Sequence, residues 1–456
     1  MIGLLAFAGT ARAQSPAAAP TSIPIGDWQI SPTLEVRSRG EYRRDSPELA
    51  GGSASSPSVQ DAFGILERTR LGVGADYGGV RGDPGLLRAQ LTLQDARAWG
   101  SAPTGVLGSA ESSPASTGHY EGWIEARTSA ARPAYLRFGR QEVTWGDGRL
   151  LASADWSPTG RTLDAARGHA SAGMFDFELL AALLDPPSPL GVAFGQTAGP
   201  MSTGTELYGG QIAASPAPLL KLELSLLARV RRHPQKEVGD GDTYVGSLRV
   251  FGGPGGGWRY AVEGAYEVTR SLLDGEARSA YAGAGYLEKT LDSLTLSPSL
   301  RLEADYASGG TPDGSRTPFD PILPDVHTLH GAMDLFAWSN TVQASARIGV
   351  VPWQWGEAAI EYRYVRLAET GAWLDAYLNR VGTGGYGAEL GHEVDAWVSW
   401  RPWPVLELGG GYSAFVLSGD AQYFLSTTAA AGGGARGEYT ASIAHFAYAQ
   451  ATLRVP

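Results

Sequence analysis

Apolar and polar residues alternate along most of the chain with a period of two, which predicts β-strands rather than helices. In SLRLEADY (299–306) every second residue is apolar, and the residues between are Arg301, Glu303 and Asp305. Each strand therefore has one apolar face and one charged face. The same alternation recurs in RTRLGVGADY (68–77), LKLELSLLARV (220–230), WRYAVEGAYEV (258–268), TVQASARIGV (341–350), EAAIEYRY (357–364) and HEVDAWVSW (392–400).

Clusters of Gly, Pro and Asp separate these runs and predict turns, because they accept or preset turn dihedrals. Examples are GDPG (82–85), DPPSP (185–189) and GGPGGG (252–257), and long loops are expected over 100–118 and 307–328. At roughly 25 residues per strand and connection, the chain has room for about 18 strands, which is within the range of single-chain membrane barrels.

Composition narrows the all-β class to two architectures. The chain has 456 residues with 62 Gly, no Cys and 18% charged residues, below the soluble average of about 25%. The absence of Cys excludes disulfides and Cys-ligated metal centres. No apolar run reaches 18 residues, so a transmembrane helix is not expected. A secreted β-sandwich or an outer-membrane barrel remains.

The charged face favours the barrel. It combines Arg with acidic residues and has almost no Lys, whereas the outer face of a soluble sandwich usually carries many Lys and Thr. Paired opposite charges suit a narrow, wet lumen, and Tyr and Trp near strand ends suit the headgroup level of a bilayer. The net charge of −11 argues against nucleic acid as a partner.

The N-terminus has the pattern of a secretion signal. A short apolar run precedes Ala11, Arg12 and Ala13, an A-x-A cleavage pattern. We therefore expect a signal peptide at 1–13 that is shortened at its start, a linker at 14–27, and a single barrel at 28–456.

Motifs for catalysis fail on inspection. GHEV (391–394) resembles the start of a zinc-protease motif, but position 396 is Ala396 rather than His. No nucleophile elbow or phosphate-binding loop is present, and the seven His are scattered. We expect no enzyme activity, no catalytic residues, no metal and no cofactor.

Arginine is the residue type most suited to a ligand role, since its guanidinium stays ionised and binds carboxylates. One interpretation is a lumen that attracts anions. The other is that each Arg neutralises a neighbouring acid and braces the wall, which for any single Arg is the more common case. The predicted lumenal positions on strands are Arg68, Arg70, Arg88, Arg137, Arg301, Arg347 and Arg363.

Three long segments carry a family resemblance. LRFGRQEVTWGDGRLLASADWSPTGRTLDAAR (136–167) resembles the central signature of the bacterial alginate export family of outer-membrane proteins. DYASGGTPDGSRTPFDPILPDVHTLHGAMDLFAWSN (305–340) and LGHEVDAWVSWRPWPVLELGGGYSAFVLSGD (390–420) resemble two later segments of that family. The matches are ordered and span most of the chain.

The resemblance implies an 18-stranded antiparallel barrel with an Arg-rich constriction that passes an anionic polysaccharide, alginate in the best-known member. It also implies that the loop after Gln141 folds near or into the lumen. The residues it places at the pore are Arg140, Arg149, Arg161 and Arg167, with Asp147, Asp155, Asp164, Asp334, Glu393 and Asp395 as acidic partners.

The expected function is a channel in the outer membrane of a Gram-negative bacterium, in contact with its lipid. It would pass anionic polysaccharide or small anions, and an export component of the periplasm is a further candidate partner. A general or sugar-acid porin without polysaccharide specificity is the first alternative. A plugged structural or adhesive barrel is the second.

Overall fold

The structure is a computed structural model, and the residues it describes are 22–47, 61–78, 86–100, 115–128, 134–184, 204–217, 219–231, 241–271, 275–311, 316–371, 373, 387–427 and 441–456. The predicted signal peptide at 1–13 and the first part of the predicted linker lie outside these residues. The end of that linker contains a short strand, Ile23–Ile25.

Nearly all of the described chain is β-strand. The strands are β1 (Ile23–Ile25), β2 (Trp28–Arg44), β3 (Asp61–Tyr77), β4 (Leu87–Gly100), β5 (Ala115–Arg127), β6 (Tyr135–Gln141), β7 (Leu163–Ala172), β8 (Phe175–Leu183), β9 (Thr205–Ala217), β10 (Leu220–Arg231), β11 (Gly241–Gly255), β12 (Trp258–Ser271), β13 (Ala277–Thr290), β14 (Ser299–Ala307), β15 (Thr341–Val350), β16 (Gly356–Leu367), β17 (Glu389–Trp403), β18 (Leu406–Leu417) and β19 (Ile443–Val455). The helix α1 (Gly419–Thr427) follows β18. Among the described residues, no helix is long and apolar enough to cross a membrane.

Strands β2 to β19 form a closed ring. Each pairs antiparallel with the next, and β19 pairs with β2, with Phe446 opposite Arg43 and Val455 opposite Leu34. Closure of the ring pairs the backbone N–H and C=O groups that an open sheet would leave exposed at its edges, and a sheet in lipid requires this pairing. The described residues thus confirm the predicted 18-stranded antiparallel barrel. The short β1 pairs with β2 in addition to this ring.

The two faces of each strand differ in exposure as the alternation predicts. On β14, Leu300 and Leu302 are exposed on the outer wall, whereas Arg301, Glu303 and Asp305 are buried inside. The outer wall is apolar and faces lipid, and the charged row faces the lumen.

The two ends of the barrel also differ. At the end that carries both chain termini, two-residue turns at 173–174, 256–257 and 404–405 join successive strands. In outer-membrane barrels the short turns are periplasmic and the long loops extracellular. One of these turns needs glycine: Gly257 has φ +81°, and a Cβ there would lie 2.1 Å from the carbonyl oxygen of Thr290.

Two long connections fold inward from the extracellular end and give the barrel its apolar core. Residues 142–162 join β6 to β7, and residues 308–340 join β14 to β15. One cluster contains Trp145 and Leu151 of the first connection and Trp338 of the second. A second cluster is built around Phe336. The described part of these connections therefore packs against the wall instead of lying over the surface.

Candidate functional site in the lumen

The two inward connections are joined to each other inside the barrel. Leu151 and Leu323 form a parallel β-bridge. The Ala152 amide donates to the Leu323 carbonyl at 2.9 Å, and the Leu323 amide donates to the Leu150 carbonyl at 3.1 Å. The Asp325 amide donates to the carbonyl of Gly148 at 2.9 Å. We call residues 142–162 and 316–340 together the internal bridge.

Arg149 fixes one side of the internal bridge to the wall. Its Nη1 donates to Asp305 Oδ1 at 2.8 Å and its Nη2 to Glu303 Oε1 at 2.5 Å, both on β14. Asp147 Oδ2 lies 3.3 Å from its Nε. Burial alone would lower the pKa of Arg149, but Asp305, Asp147 and Glu303 hold it well above its usual value. Arg149 is therefore a buried, fully charged anchor.

Arg161 joins the two halves of the internal bridge. Its Nη1 donates to the carbonyl oxygens of Ala152, Leu323 and Pro324 at 3.0, 2.8 and 3.1 Å. The side chain thus donates to backbone acceptors of both connections and holds them together.

The other side of the internal bridge meets β2 and β3. Arg37 Nη1 donates to the Asp155 carbonyl at 2.6 Å, and its Nη2 donates to the Ser157 carbonyl at 2.9 Å. The Asp155 carboxylate lies 2.9 Å from Arg68 and 3.2 Å from Arg70. Burial alone would raise the pKa of Asp155, but Arg68, Arg37 and Arg70 hold it well below its usual value.

Trp156 is held between a cation and an imidazole. The Arg39 guanidinium carbon lies 3.6 Å from the centre of its ring, and the His327 ring stacks on it at 3.6 Å with a 5° angle between planes. His327 Nδ1 in turn lies 3.0 Å from Asp334 Oδ1. Trp156 falls within the family signature at 136–167, but both of its stacking partners are more than 100 residues away in the sequence.

The remaining predicted lumenal arginines face inward and are paired with carboxylates. Their shortest charged contacts are close, between 2.5 and 2.6 Å. The pairs are Arg88–Asp76, Arg137–Glu125, Arg167–Glu178, Arg301–Glu303, Arg347–Glu361 and Arg363–Glu361.

Arg140 and Asp164 lie elsewhere than the resemblance implied. They are opposite each other on β6 and β7, and their side chains pair at 2.6 Å. Arg140 follows the exposed Leu136 and Phe138 on the same outward row. This pair therefore belongs to the outer wall, near the extracellular ends of β6 and β7, and not to the lumen.

Glu393 of β17 contacts the internal bridge from the barrel wall. Glu393 Oε1 accepts a hydrogen bond from the Met333 amide at 3.1 Å. Arg43 lies 3.7 Å from Asp334 and donates to the Met333 carbonyl at 2.9 Å. Asp395 is buried on the same row as Glu393. Arg43 is not among the predicted lumenal residues, although it continues the inward row of β2.

Charge is distributed unevenly around the lumen. On the inward rows of β2 and β3, five arginines outnumber three acids, Arg37, Arg39, Arg43, Arg68 and Arg70 against Glu35, Glu41 and Asp76. In an 18-stranded ring, β11 and β12 lie nine strands from β2 and β3 and therefore face them across the lumen. The inward rows of β11 and β12 carry two arginines, Arg249 and Arg259, and two acids, Glu263 and Glu267.

Two narrow recesses among the described residues lie beside the internal bridge. One lies on the periplasmic side of residues 327–332, against β15 to β19. The other lies between residues 145–150 and the wall of β10 to β12. Their wall residues lie on the periplasmic side of the bridge.

The comparisons with known proteins agree with this architecture. The family model for alginate export matches residues 29–423. The structure of Acinetobacter baumannii OccAB2 is similar at 12% identity, covering 93% of this chain and 98% of that one, with a TM-score of 0.56. The structure of Pseudomonas aeruginosa OccK5 (OpdH) is similar at 9% identity, covering 93% of this chain and 98% of that one, with a TM-score of 0.56. The structure of the Pseudomonas aeruginosa outer-membrane protein opdK is similar at 10% identity, covering 93% of this chain and 98% of that one, with a TM-score of 0.57.

A search of curated proteins gave no match. The solved structures establish the barrel fold, and the family match covers nearly the whole chain. The barrel is thus an outer-membrane channel of a Gram-negative bacterium, and the chain belongs to the alginate export family.

Proposed function

We propose that the barrel passes an anionic polysaccharide, or the small sugar acids that compose one, along the side of the lumen formed by β2, β3 and β19. No chemical step is involved. The anion moves through a wet lumen, where guanidinium groups favour its entry and acids on the opposite wall limit how tightly it binds.

One observation carries this proposal: Arg37 has neutral carbonyl oxygens as its hydrogen-bond acceptors, those of Asp155, Trp156 and Ser157. A carbonyl satisfies the N–H groups but does not cancel the charge. The Asp155 carboxylate is 3.9 Å away and is shared with Arg68 and Arg70. Positive charge therefore persists at this wall.

The wider cluster of charged side chains at this wall also has a net positive charge. Five guanidiniums, of Arg37, Arg68, Arg70, Arg401 and Arg454, lie within 4.0 Å of four carboxylates, those of Glu35, Asp155, Glu142 and Glu407. One uncompensated charge attracts a carboxylate at 4 Å by about 1 kcal/mol in bulk water and about 4 kcal/mol near a protein surface. That range is enough to concentrate an anion without trapping it.

The internal bridge restricts the size of what passes. The two recesses beside it are each smaller than a sugar ring. Passage of a sugar acid, like that of a longer polymer, therefore requires the bridge to shift. A general porin would share the conductance but not the preference for sugar acids, and a plugged barrel would lack conductance.

Planar-bilayer recording tests the proposal. The wild-type barrel should conduct, its reversal potential in a KCl gradient should show chloride preference, and mannuronate oligomers should block the current. The double variant Arg70→Gln with Arg454→Gln should lower the chloride preference and weaken the block. The matched control is Arg44→Gln with Arg97→Gln, which removes the same charge from exposed outward positions and should change neither.

Each failure has its own meaning. An absence of conductance supports the plugged barrel. Conductance without block by mannuronate oligomers supports the general porin. Equal selectivity in the double variant and the wild type removes the cationic wall from the mechanism.

A further inference from the structure

We propose that the Asp155 carboxylate occupies the place of the ligand's carboxylate at the cationic wall of β2 and β3, and that an incoming uronate displaces it and thereby releases residues 153–161. We call these residues the inner loop. The proposal rests on the proposed function, because the uronate belongs to the transported saccharide. It adds the contact that keeps the internal bridge closed until that saccharide arrives.

The Asp155 carboxylate has the surroundings that a bound carboxylate would have. It lies 2.9 Å from Arg68, 3.2 Å from Arg70 and 3.9 Å from Arg37. The side chains of these arginines are at most 10% exposed, whereas that of Asp155 is 38% exposed. A solute in the lumen therefore reaches the carboxylate before the guanidiniums and can compete with it for them.

The backbone beside Asp155 completes the likeness to a sugar acid. Arg37 donates to the carbonyl oxygens of Asp155 and Ser157 at 2.6 and 2.9 Å. Arg39 donates to the Trp156 carbonyl at 2.9 Å. The wall thus binds one carboxylate and three neutral oxygens from a single turn of chain. A uronate residue offers the same set, because ring, glycosidic and hydroxyl oxygens surround its carboxylate.

The other acids of the internal bridge that contact wall arginines, among the described residues, are less accessible than Asp155. Their side chains are between 7% and 28% exposed, and they are Glu142, Asp147, Asp320 and Asp334. The contact made by Asp155 is therefore the one between bridge and wall that a solute carboxylate can replace most easily.

The inner loop is closed on its own base and can move as a unit. The Arg161 amide donates to the Ser153 carbonyl at 2.6 Å, and the Ser157 amide donates to the Ala154 carbonyl at 3.1 Å. Neither hydrogen bond has to break when the loop leaves the wall. Ala154 has φ +48°, which residues other than glycine rarely adopt. The docked loop is therefore strained at its base, and release relieves that strain.

Exchange of carboxylates, rather than simple release, opens the inner loop. Withdrawal of Asp155 alone would leave the buried guanidiniums short of one carboxylate, which is strongly unfavourable. A ligand carboxylate restores the balance as it takes over. Because Asp155 is tethered, it competes at an effective concentration on the order of millimolar, and the stacking of Trp156 on His327 adds to this competition. A single uronate should bind weakly, and an oligouronate more tightly.

Titration calorimetry of the purified barrel in detergent measures the competition, with dimannuronate as the probe. Asp155→Asn keeps the size of the side chain but removes the competing charge. The fraction of barrels with an accessible wall therefore rises, and the Kd should fall at least fivefold. The matched control is Asp61→Asn, which removes the same charge from an exposed position and should leave the Kd unchanged.

Thiol labelling reads out the movement of the inner loop, because the chain has no cysteine. The variant Ser157→Cys keeps the backbone carbonyl that Arg37 binds. Its reaction with N-ethylmaleimide should become at least threefold faster in saturating dimannuronate and should not change in mannobiose, which has no carboxylate. The control variant Ser247→Cys, on the inward row of β11, should show no increase. A purely electrostatic role of Asp155 would not change the labelling rate at Ser157→Cys.

The outcomes separate this exchange from the proposed function. A Kd for Asp155→Asn within twofold of wild type overturns the competition, and an unchanged labelling rate at Ser157→Cys overturns the release of the loop. Both results leave the proposed function standing, because that depends on the anion preference and its loss in Arg70→Gln with Arg454→Gln. If neither wild type nor Asp155→Asn binds dimannuronate, the wall is not a carboxylate site and both proposals are overturned.

Discussion

Replacement of Arg149 by Ala should loosen the internal bridge from the wall. Arg149 is 2% exposed, and its carboxylate partners on β14, Glu303 and Asp305, are 4% and 1% exposed by side chain. Removing one partner of a buried ion pair leaves an uncompensated charge, which typically costs about 3–5 kcal/mol. Because these groups are buried, solvent does not reduce that figure substantially.

The surrounding cations place the cost at the lower end of the range. Glu303 keeps a contact of 2.6 Å with Arg301, and Asp305 lies 4.0 Å from Arg363. Both acids therefore retain part of their compensation when Arg149 is absent. We expect a loss of about 3 kcal/mol in the free energy that holds residues 142–162 in place, which is about a hundredfold in the docking equilibrium.

Hydrogen exchange with mass spectrometry measures this quantity directly. Amides of the internal bridge, such as that of Ala152, exchange through local opening, and their protection should fall about a hundredfold in Arg149→Ala. The control is a double variant, Arg149→Met with Asp305→Asn, which leaves Glu303 paired with Arg301 and Arg363 paired with Glu361 and should recover most of the protection. A loss below threefold in Arg149→Ala would refute the assignment of this residue as the anchor.

Two further predictions concern pH and a turn. The pKa of Asp155 is held well below 3.8, so its contribution to docking is present at neutral pH and is lost only as pH falls from about 4 towards that lowered value; the difference in hydrogen-exchange protection of the internal bridge between wild type and Asp155→Asn should stay constant from pH 7 to 5 and shrink near pH 3, and a difference that shrinks already at pH 6 would contradict it. Gly257→Ala should lower the free energy of unfolding, measured in urea, by about 1–3 kcal/mol more than Gly256→Ala does. Both glycines have positive φ, but only a Cβ at Gly257 would meet the Thr290 carbonyl. Equal losses would show that the contact relaxes.

The barrel and its two faces could be predicted because they depend on local alternation. On β14 a period of two separates Leu300 and Leu302 from Arg301 and Glu303, and lipid on one side with water on the other fixes which face is which. The same count along β6, from Leu136 and Phe138, places Arg140 on the outward row. The family resemblance assigned it to the lumen, and the register shows why alternation is the better guide within a strand.

The contacts within the lumen could not be predicted because they join distant parts of the chain. Arg149 and Glu303 are 154 positions apart, and Trp156 meets Arg39 and His327 only after both connections fold inward. No local period encodes these pairings. The sequence indicated which residues are charged and which way they face, but the partner of each depends on the path of the internal bridge.

The partner of each arginine separates the two interpretations that the sequence left open. Where the acceptor is a carboxylate, as for Arg137 with Glu125, charge is cancelled and the pair braces the wall. Where the acceptors are backbone carbonyls, as for Arg37, the hydrogen bonds are satisfied but the positive charge remains in the lumen. The internal bridge supplies those carbonyls, so the same element that narrows the lumen also keeps its cationic wall charged. A shift of the bridge would change both the width and the charge presented to the anion, which makes the bridge the part of the channel where size and charge selection are coupled.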